Sequence, residues 1–259
     1  MLIHLDTGAV NIADPYNAFL QLSQRIDGCS KLILKGVEMP LVFPNVRSGG
    51  KLNSLSIQVS TGTIYEITIA EQFYDTIADV CTAMNISFQN VLPSNLSLVA
   101  SVSDKNKVVL TMTDSNKIVN NLMVLPSTFS QYILGFKNVN APSTNYNAGT
   151  GVCSLTARLV YNLQADTVLY LRLANIRTHT IHSTNSTLLA SMHYKIPLNS
   201  STNGLVYYMS DEVSYKQCIQ IDPSDVYTSL NVQVYDRWGN LLQTTDGSVF
   251  DWSLTIEAM

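Results

Sequence analysis

The residues of this sequence that could perform chemistry are few, and their spacing does not favour a reaction centre. His179 and His182 lie three positions apart, but the run 178–183 is rich in Ser and Thr and has no carboxylate or cysteine nearby. Zinc sites gather several such ligands at set spacings, so this pair is interpreted as part of a solvated loop. His193 falls on the polar face of a predicted strand, and His4 lies in an N-terminal segment without assigned structure.

Asp211 and Glu212 form an adjacent pair of acids. A glycosidase needs two carboxylates on opposite sides of a sugar, which neighbours in one turn cannot provide, so the pair is interpreted as a solvated hairpin turn. The sequence contains no hydrolase elbow, phosphate loop, HExxH or dinucleotide fingerprint. We therefore expect no enzymatic activity and no catalytic, cofactor-binding or metal-ligating residues.

The four cysteines are also unsuited to metal or redox chemistry. Cys29, Cys81, Cys153 and Cys218 are far apart, and none forms a CxxC or CxxxC pair. In a reducing compartment such residues are most simply small buried hydrophobic side chains. We expect that role for all four.

Composition limits the partners of this chain of 259 residues. Charged residues are 13% and the formal net charge is −4, with Lys and Arg scattered, so a direct contact with nucleic acid is not expected. No run of about 18 apolar residues predicts a membrane span, and the N-terminus lacks a secretory pattern, which predicts synthesis and use in the cytosol. A neutral surface rich in Ser, Thr and Asn is typical of a protein whose outer faces are covered by neighbours.

From Ser30 onward, apolar residues recur with a period of two in segments rich in β-branched and aromatic types. This pattern predicts many short strands, and such a series with turns between its members is typical of a sandwich or barrel. The predicted strands are Ser30–Val42, Leu52–Val59, Ile64–Ile69, Ser154–Tyr161, Thr167–Ile176, Leu188–Leu198, Leu205–Tyr208, Val213–Ile221, Ser229–Tyr235 and Trp252–Ile256.

The alternation is sharpest in the last two predicted strands. The turn Asp236–Asn240 between them contains Gly239, at the position where a hairpin loop of three to five residues needs a left-handed residue. We therefore predict that the two strands pair with each other and close the core. Their predicted core residues are Leu230, Val232 and Val234 on the first strand, and Trp252, Leu254 and Ile256 on the second.

One region departs from the β pattern. Asp75 can cap a short helix whose apolar residues Ile77, Val80, Cys81 and Met84 share one face. A hairpin turning at 103–107 follows, then a short helical turn at 129–136 and a loop at 137–151. The chain is therefore divided into an N-terminal arm at 1–29, a main β domain at 30–70 and 152–259, and an inserted α+β module at 71–151.

The order of these elements resembles that of the single jelly-roll penton, or minor capsid, proteins of virophages and polinton-like double-stranded DNA viruses. The resemblance covers the chain from about Ser30 onward and depends on patterns of apolar positions and a few turn residues. The segments that carry it are Lys31–Leu34, Met39-Pro40, Tyr65–Ile69, Phe73-Tyr74, Ile133–Phe136, Leu171–Leu173, Lys195–Leu198, Leu230–Asp236, Gly239-Asn240 and Asp251–Leu254.

The resemblance implies a mainly β protein, a single jelly-roll sandwich with an inserted module, that stands at the fivefold vertex of a virion as a homopentamer. Its neighbours there would be double jelly-roll major capsid proteins, and it would be synthesised in the host cytoplasm.

Carbohydrate or receptor binding through the inserted module and the loop at 137–151 is the alternative. The 13 tyrosines could form a sugar-binding surface, but their alternating positions in strands favour packing and subunit contacts. A cupin-type enzyme is disfavoured because its metal site needs several His and a Glu from paired strands.

Overall fold

The computed structural model describes residues 1–7, 14–40, 44–137, 145–164, 166–177, 192–198, 205–209, 217–243 and 251–259. Antiparallel strands dominate these ranges. The strands and the α-helix, in chain order, are β1 Leu2–Asp6, β2 Asn17–Ile26, β3 Lys31–Pro40, β4 Ser54–Val59, β5 Ile64–Thr68, α1 Ile77–Val91, β6 Leu96–Val102, β7 Val108–Asp114, β8 Leu122–Val124, β9 Asn145–Asn147, β10 Val152–Thr156, β11 Val168–Leu173, β12 Tyr194–Pro197, β13 Leu205–Met209, β14 Cys218–Gln220, β15 Tyr227–Tyr235 and β16 Ser253–Ala258.

The chain forms two compact units. The first, called the sandwich unit, is Met1–Phe43 with Asp166–Met259, and the second, called the inserted unit, is Pro44–Ala165. These limits differ from the expected module at 71–151, because β4 and β5 pair with β8 inside the inserted unit rather than with strands of the sandwich.

The expected N-terminal arm at 1–29 is also different in the structure, where it supplies two strands of the sandwich unit. Strand β1 pairs with β16, and β2 pairs with β15. Ala18, Leu20 and Leu22 alternate with exposed residues along β2. The period-two pattern therefore begins in β2, before the start predicted at Ser30.

The sandwich unit consists of two antiparallel sheets around one apolar core. One sheet has the strand order β1-β16-β3-β13, with β14 also pairing with β3, and the other has the order β12-β11-β15-β2. Side chains from both sheets form a single buried cluster. Two packed antiparallel sheets, here of five and four strands, are the jelly-roll arrangement, so the predicted fold class is confirmed.

The predicted pairing of the last two strands is wrong. Strand β15 pairs with β11 and β2, whereas β16 pairs with β1 and β3 in the other sheet. Alternation shows which face of a strand is buried, but it does not identify the neighbour to which the strand hydrogen-bonds. The six residues predicted for this core are all buried and belong to one cluster: Leu230, Val232, Val234, Trp252, Leu254 and Ile256.

The inserted unit combines two small sheets with α1. The sheets have the strand orders β5-β4-β8 and β6-β7-β10-β9, and α1 packs against β5 and β6. The predicted apolar stripe of α1 is buried, but the helix begins after Thr76 rather than Asp75. Thr76 and Asp79 form a capping box in which each side chain accepts the other residue's backbone N–H. The helical turn expected at 129–136 is one π-helical turn, Phe129–Ile133.

In the part of the chain that the structure describes, no helix is long and apolar enough to cross a bilayer.

Candidate functional site

The histidines within the described ranges have structural contacts. Nδ1 of His193 accepts a hydrogen bond from the backbone N–H of Leu173 at 3.0 Å, and its ring meets the ring of Tyr194 edge to face. Nδ1 of His4 lies 3.1 Å from Oγ1 of Thr255 on the exposed side of its sheet. Contacts of this kind hold strand ends and sheet surfaces together.

The remaining candidates for chemistry lie outside the described residues: His179, His182, Asp211 and Glu212. Among the described residues, no group of three or more His, Cys, Asp or Glu side chains is close enough to share a metal ion.

The cysteines fall into two classes of burial. Cys81 and Cys153 are buried, as expected, whereas Cys29 and Cys218 are half-exposed, and no disulfide joins any of the four. Burial raises the pKa of the Cys81 thiol to about 11. A thiol with that pKa is almost entirely protonated at neutral pH and is a poor nucleophile, so Cys81 serves as packing.

The turn after β15 is organised by a buried carboxylate. Asp236 has no solvent exposure, and its Oδ1 accepts hydrogen bonds from the backbone N–H groups of Trp238 and Asn240 at 2.8 and 2.9 Å. Gly239 has a φ of 84°, in the left-handed region that glycine adopts most easily. The chain then returns beside β15, with Leu241 bridging to Tyr235.

A second buried carboxylate fixes an exposed loop in the inserted unit. Oδ2 of Asp114 accepts the N–H groups of Ile118 and Val119, both at 2.8 Å, and its Oδ1 accepts from Asn95 and Asn116. The hydrogen bond from Val119 is the main reason why the pKa of Asp114 lies below its usual value, with Asn116, Asn95 and Ile118 adding to it against the effect of burial. Ile118, at the tip, is 64% exposed, so the loop presents an apolar side chain on a well-bonded support.

Two sheet edges are closed by side-chain amides. Asn85 of α1 accepts the N–H of Ala100 at 2.6 Å and donates to its C=O at 3.1 Å, as a neighbouring strand would. Gln217 does the same for Lys195 of β12, at 3.0 and 2.5 Å. An uncovered edge invites pairing with other chains, and each of these amides satisfies the backbone groups of one residue on such an edge.

Sequence reasoning missed both amides and both buried carboxylates. Asn and Gln at such positions are indistinguishable in the sequence from the many amides on the surface. The hydrogen bonds that Asp236 accepts in this turn could have been predicted, since an Asp before a glycine-containing turn often accepts backbone N–H groups.

No family model and no curated protein matches the sequence. Among solved structures, the chain is similar to the mavirus penton protein, with a TM-score of 0.53 and 13% identity over 100% of both chains. It is also similar to a chain in the structure of the Sputnik virophage, with a TM-score of 0.41 and 13% identity over 98% of this chain and 97% of that chain. The first similarity shows a shared fold along the whole chain, and it confirms the resemblance to a penton at the level of architecture.

Proposed function

We propose that this protein is a structural subunit of a virion shell, where it stands at the fivefold vertices as a ring of five copies. The observation that carries the proposal is the similarity of the whole chain, both units included, to the fold of the mavirus penton protein. A jelly roll alone serves many functions. A jelly roll with an inserted unit that aligns along its full length is a much more restrictive match.

The surface composition supports the same proposal. Only 13% of the residues are charged, whereas roughly 25% is usual for soluble domains. Ser, Thr and Asn supply hydrogen-bonding groups that are less costly to bury against a neighbour than charges are. In a shell, the surrounding neighbours would be trimers of double jelly-roll major capsid proteins.

A ring of five needs two different surfaces on each copy, because the contact from one copy to the next is heterologous and must close after five steps. Such a function is geometric and needs no reacting group. The described side chains agree with it, since their buried polar groups hold turns and sheet edges rather than a pocket for substrate.

Carbohydrate binding, the alternative, is less well supported. A sugar platform needs exposed aromatic rings, and four of the tyrosines are instead buried in the two units: Tyr16, Tyr74, Tyr194 and Tyr227.

The test is the mass of the purified protein in solution and in particles. Sedimentation and native mass spectrometry at micromolar concentration should show a species of five times 28.6 kDa, alone or after the major capsid protein is added. A protein that remains monomeric in both conditions, and that does not enter particles, would contradict the proposal.

A further inference from the structure

Three segments of the inserted unit, 103–107, 132–137 and 157–162, meet beside the start of β7. The Nζ of Lys107 donates a hydrogen bond to the C=O of Arg158 at 2.8 Å, which joins the first segment to the third. Two backbone hydrogen bonds, of 2.8 and 3.0 Å, join the third segment to the second. The three segments therefore form one surface of this unit.

The charges of this surface are strongly unbalanced. Its three segments contain four cations and one carboxylate: Lys105, Lys107, Lys137, Arg158 and Asp104. Among the described residues, none of the four cations forms an ion pair. The imbalance extends along the sequence, since no Asp or Glu occurs at 115–165 although the whole chain has a net charge of −4. The surface therefore favours a negatively charged partner.

Apolar side chains are exposed among these cations. Leu159 is 45% exposed and Val160 is 54% exposed, and both directly follow Arg158. In a strand, one of two successive side chains would face the core, whereas here both face outward. Tyr132, in the neighbouring segment, is 40% exposed and adds an aromatic ring of the type enriched at membrane interfaces. The name basic apolar patch is used below for six of these residues: Lys105, Lys107, Lys137, Arg158, Leu159 and Val160.

This combination of side chains favours a bilayer surface over a soluble polyanion. A nucleic acid or an acidic glycan would be bound by the cations but would leave Leu159 and Val160 in water. The interface of an anionic bilayer accepts both kinds of side chain, because cations bind the headgroups and apolar side chains enter the boundary with the acyl chains.

A protein partner would need a larger surface. A specific protein interface buries about 800 Å² on each partner, over roughly 20–30 residues, and the basic apolar patch has only six. Adsorption to a bilayer has no such threshold, because each cation and each buried apolar group adds its own contribution.

We propose that the basic apolar patch binds the surface of an anionic phospholipid bilayer, with Leu159 and Val160 in the interface and the four cations at the headgroups. The contact is peripheral and needs no membrane-spanning element. It goes beyond the proposed function, since a single copy carries the complete patch. In a ring of five, the five patches would act together and strengthen the binding.

The test is co-sedimentation of the full-length protein with lipid vesicles. Vesicles of equal parts phosphatidylcholine and phosphatidylserine should bind the protein about tenfold or more tightly than vesicles of phosphatidylcholine alone, because several cations each gain from the anionic headgroups. High salt should reduce this difference, because it screens exposed charges.

Two matched pairs of variants locate the contact. Val160→Ser and Arg158→Gln should each weaken binding to the anionic vesicles about fivefold, because one removes an apolar side chain and the other a cation. Their controls are Val91→Ser and Lys117→Gln, which change an exposed valine and an exposed lysine. Lys117 follows the far end of β7, and Val91 ends α1 shortly before β6 begins beside that same end. Both controls should bind within about twofold of the wild type.

Several results would overturn the inference: no binding to the anionic vesicles, equal binding to the two kinds of vesicle, or equal effects within either pair of variants. Weaker binding by Arg158→Gln with unchanged binding by Val160→Ser would also overturn it, because the contact would then be that of any polyanion. Sedimentation of the same samples without vesicles reports on the ring separately. Vesicle binding by a protein that never forms a ring refutes only the pentamer, and a ring that binds no vesicles refutes only this inference.

Discussion

Replacing Gly135 by alanine should destabilise the inserted unit far more than the same replacement at Gly62. The two glycines have nearly equal φ angles, 82° and 85°. An alanine in this left-handed region costs about 1–2 kcal/mol, and the unfolded state changes equally at both positions. The backbone contribution to the loss of stability is therefore the same at the two positions.

The two positions differ in the space around an added Cβ. At Gly62 no atom lies within 4 Å, whereas at Gly135 the Cβ would lie 2.5 Å from the carbonyl oxygen of Leu159. The backbone at Leu159 is held against Gly135 because the N–H of Leu159 donates to the C=O of Gly135 at 3.0 Å. Overpacking of this kind costs about 1–3 kcal/mol, and a lost backbone hydrogen bond adds about 1 kcal/mol. We expect the two variants to differ by about 2–4 kcal/mol.

Two spectroscopic signals can measure the units separately. Helix α1 lies in the inserted unit, so far-UV circular dichroism follows that unit, whereas Trp238 and Trp252 lie in the sandwich unit and report on it by fluorescence. At roughly 3 °C per kcal/mol for a unit of this size, the dichroism midpoint of Gly135→Ala should fall about 6–12 °C below that of Gly62→Ala. Equal midpoints would refute the close contact with Leu159.

Three further predictions concern the turn after β15, the buried carboxylate and the two units. Gly239→Val should lower the fluorescence midpoint by the equivalent of about 1–3 kcal/mol, with Gly239→Asn milder because Asn tolerates this conformation; equal effects would mean that φ is not the cause. The lowered pKa of Asp114 stabilises the inserted unit above the unfolded-state pKa of about 3.9, and this stability is lost as the pH falls through the folded-state pKa. Acid titrations should therefore show a weaker pH dependence in Asp114→Asn, and an unchanged profile would contradict the assignment. Replacing Pro44–Ala165 by a Gly-Ser linker should leave a sandwich unit that unfolds cooperatively by fluorescence, and a non-cooperative transition would show that it cannot fold alone.

Much of the fold could be predicted because burial leaves a periodic signal. The alternating residues of β15 and β16 identified their buried faces, and the stripe from Ile77 to Met84 identified α1. The pairing of β15 with β16 was wrong because both strands contact the same core from opposite sheets. Periodicity is a property of one strand, whereas strand order depends on contacts between residues that are distant in the sequence.

The site was less predictable for a related physical reason. The amides of Asn85 and Gln217 act through single hydrogen-bonded partners, Ala100 and Lys195, that lie elsewhere in the chain.

The amide of Asn85 also determines how this chain responds to glycosylation. Asn85, Ile86 and Ser87 form an acceptor sequence for an N-linked glycan. The nitrogen that would carry the sugar is the one that donates to Ala100, and the hydroxyl of Ser87 donates to the C=O of Thr68 at 2.9 Å. A glycan at this site would have to displace the amide that covers a sheet edge, so Asn85 should remain unmodified in the folded inserted unit.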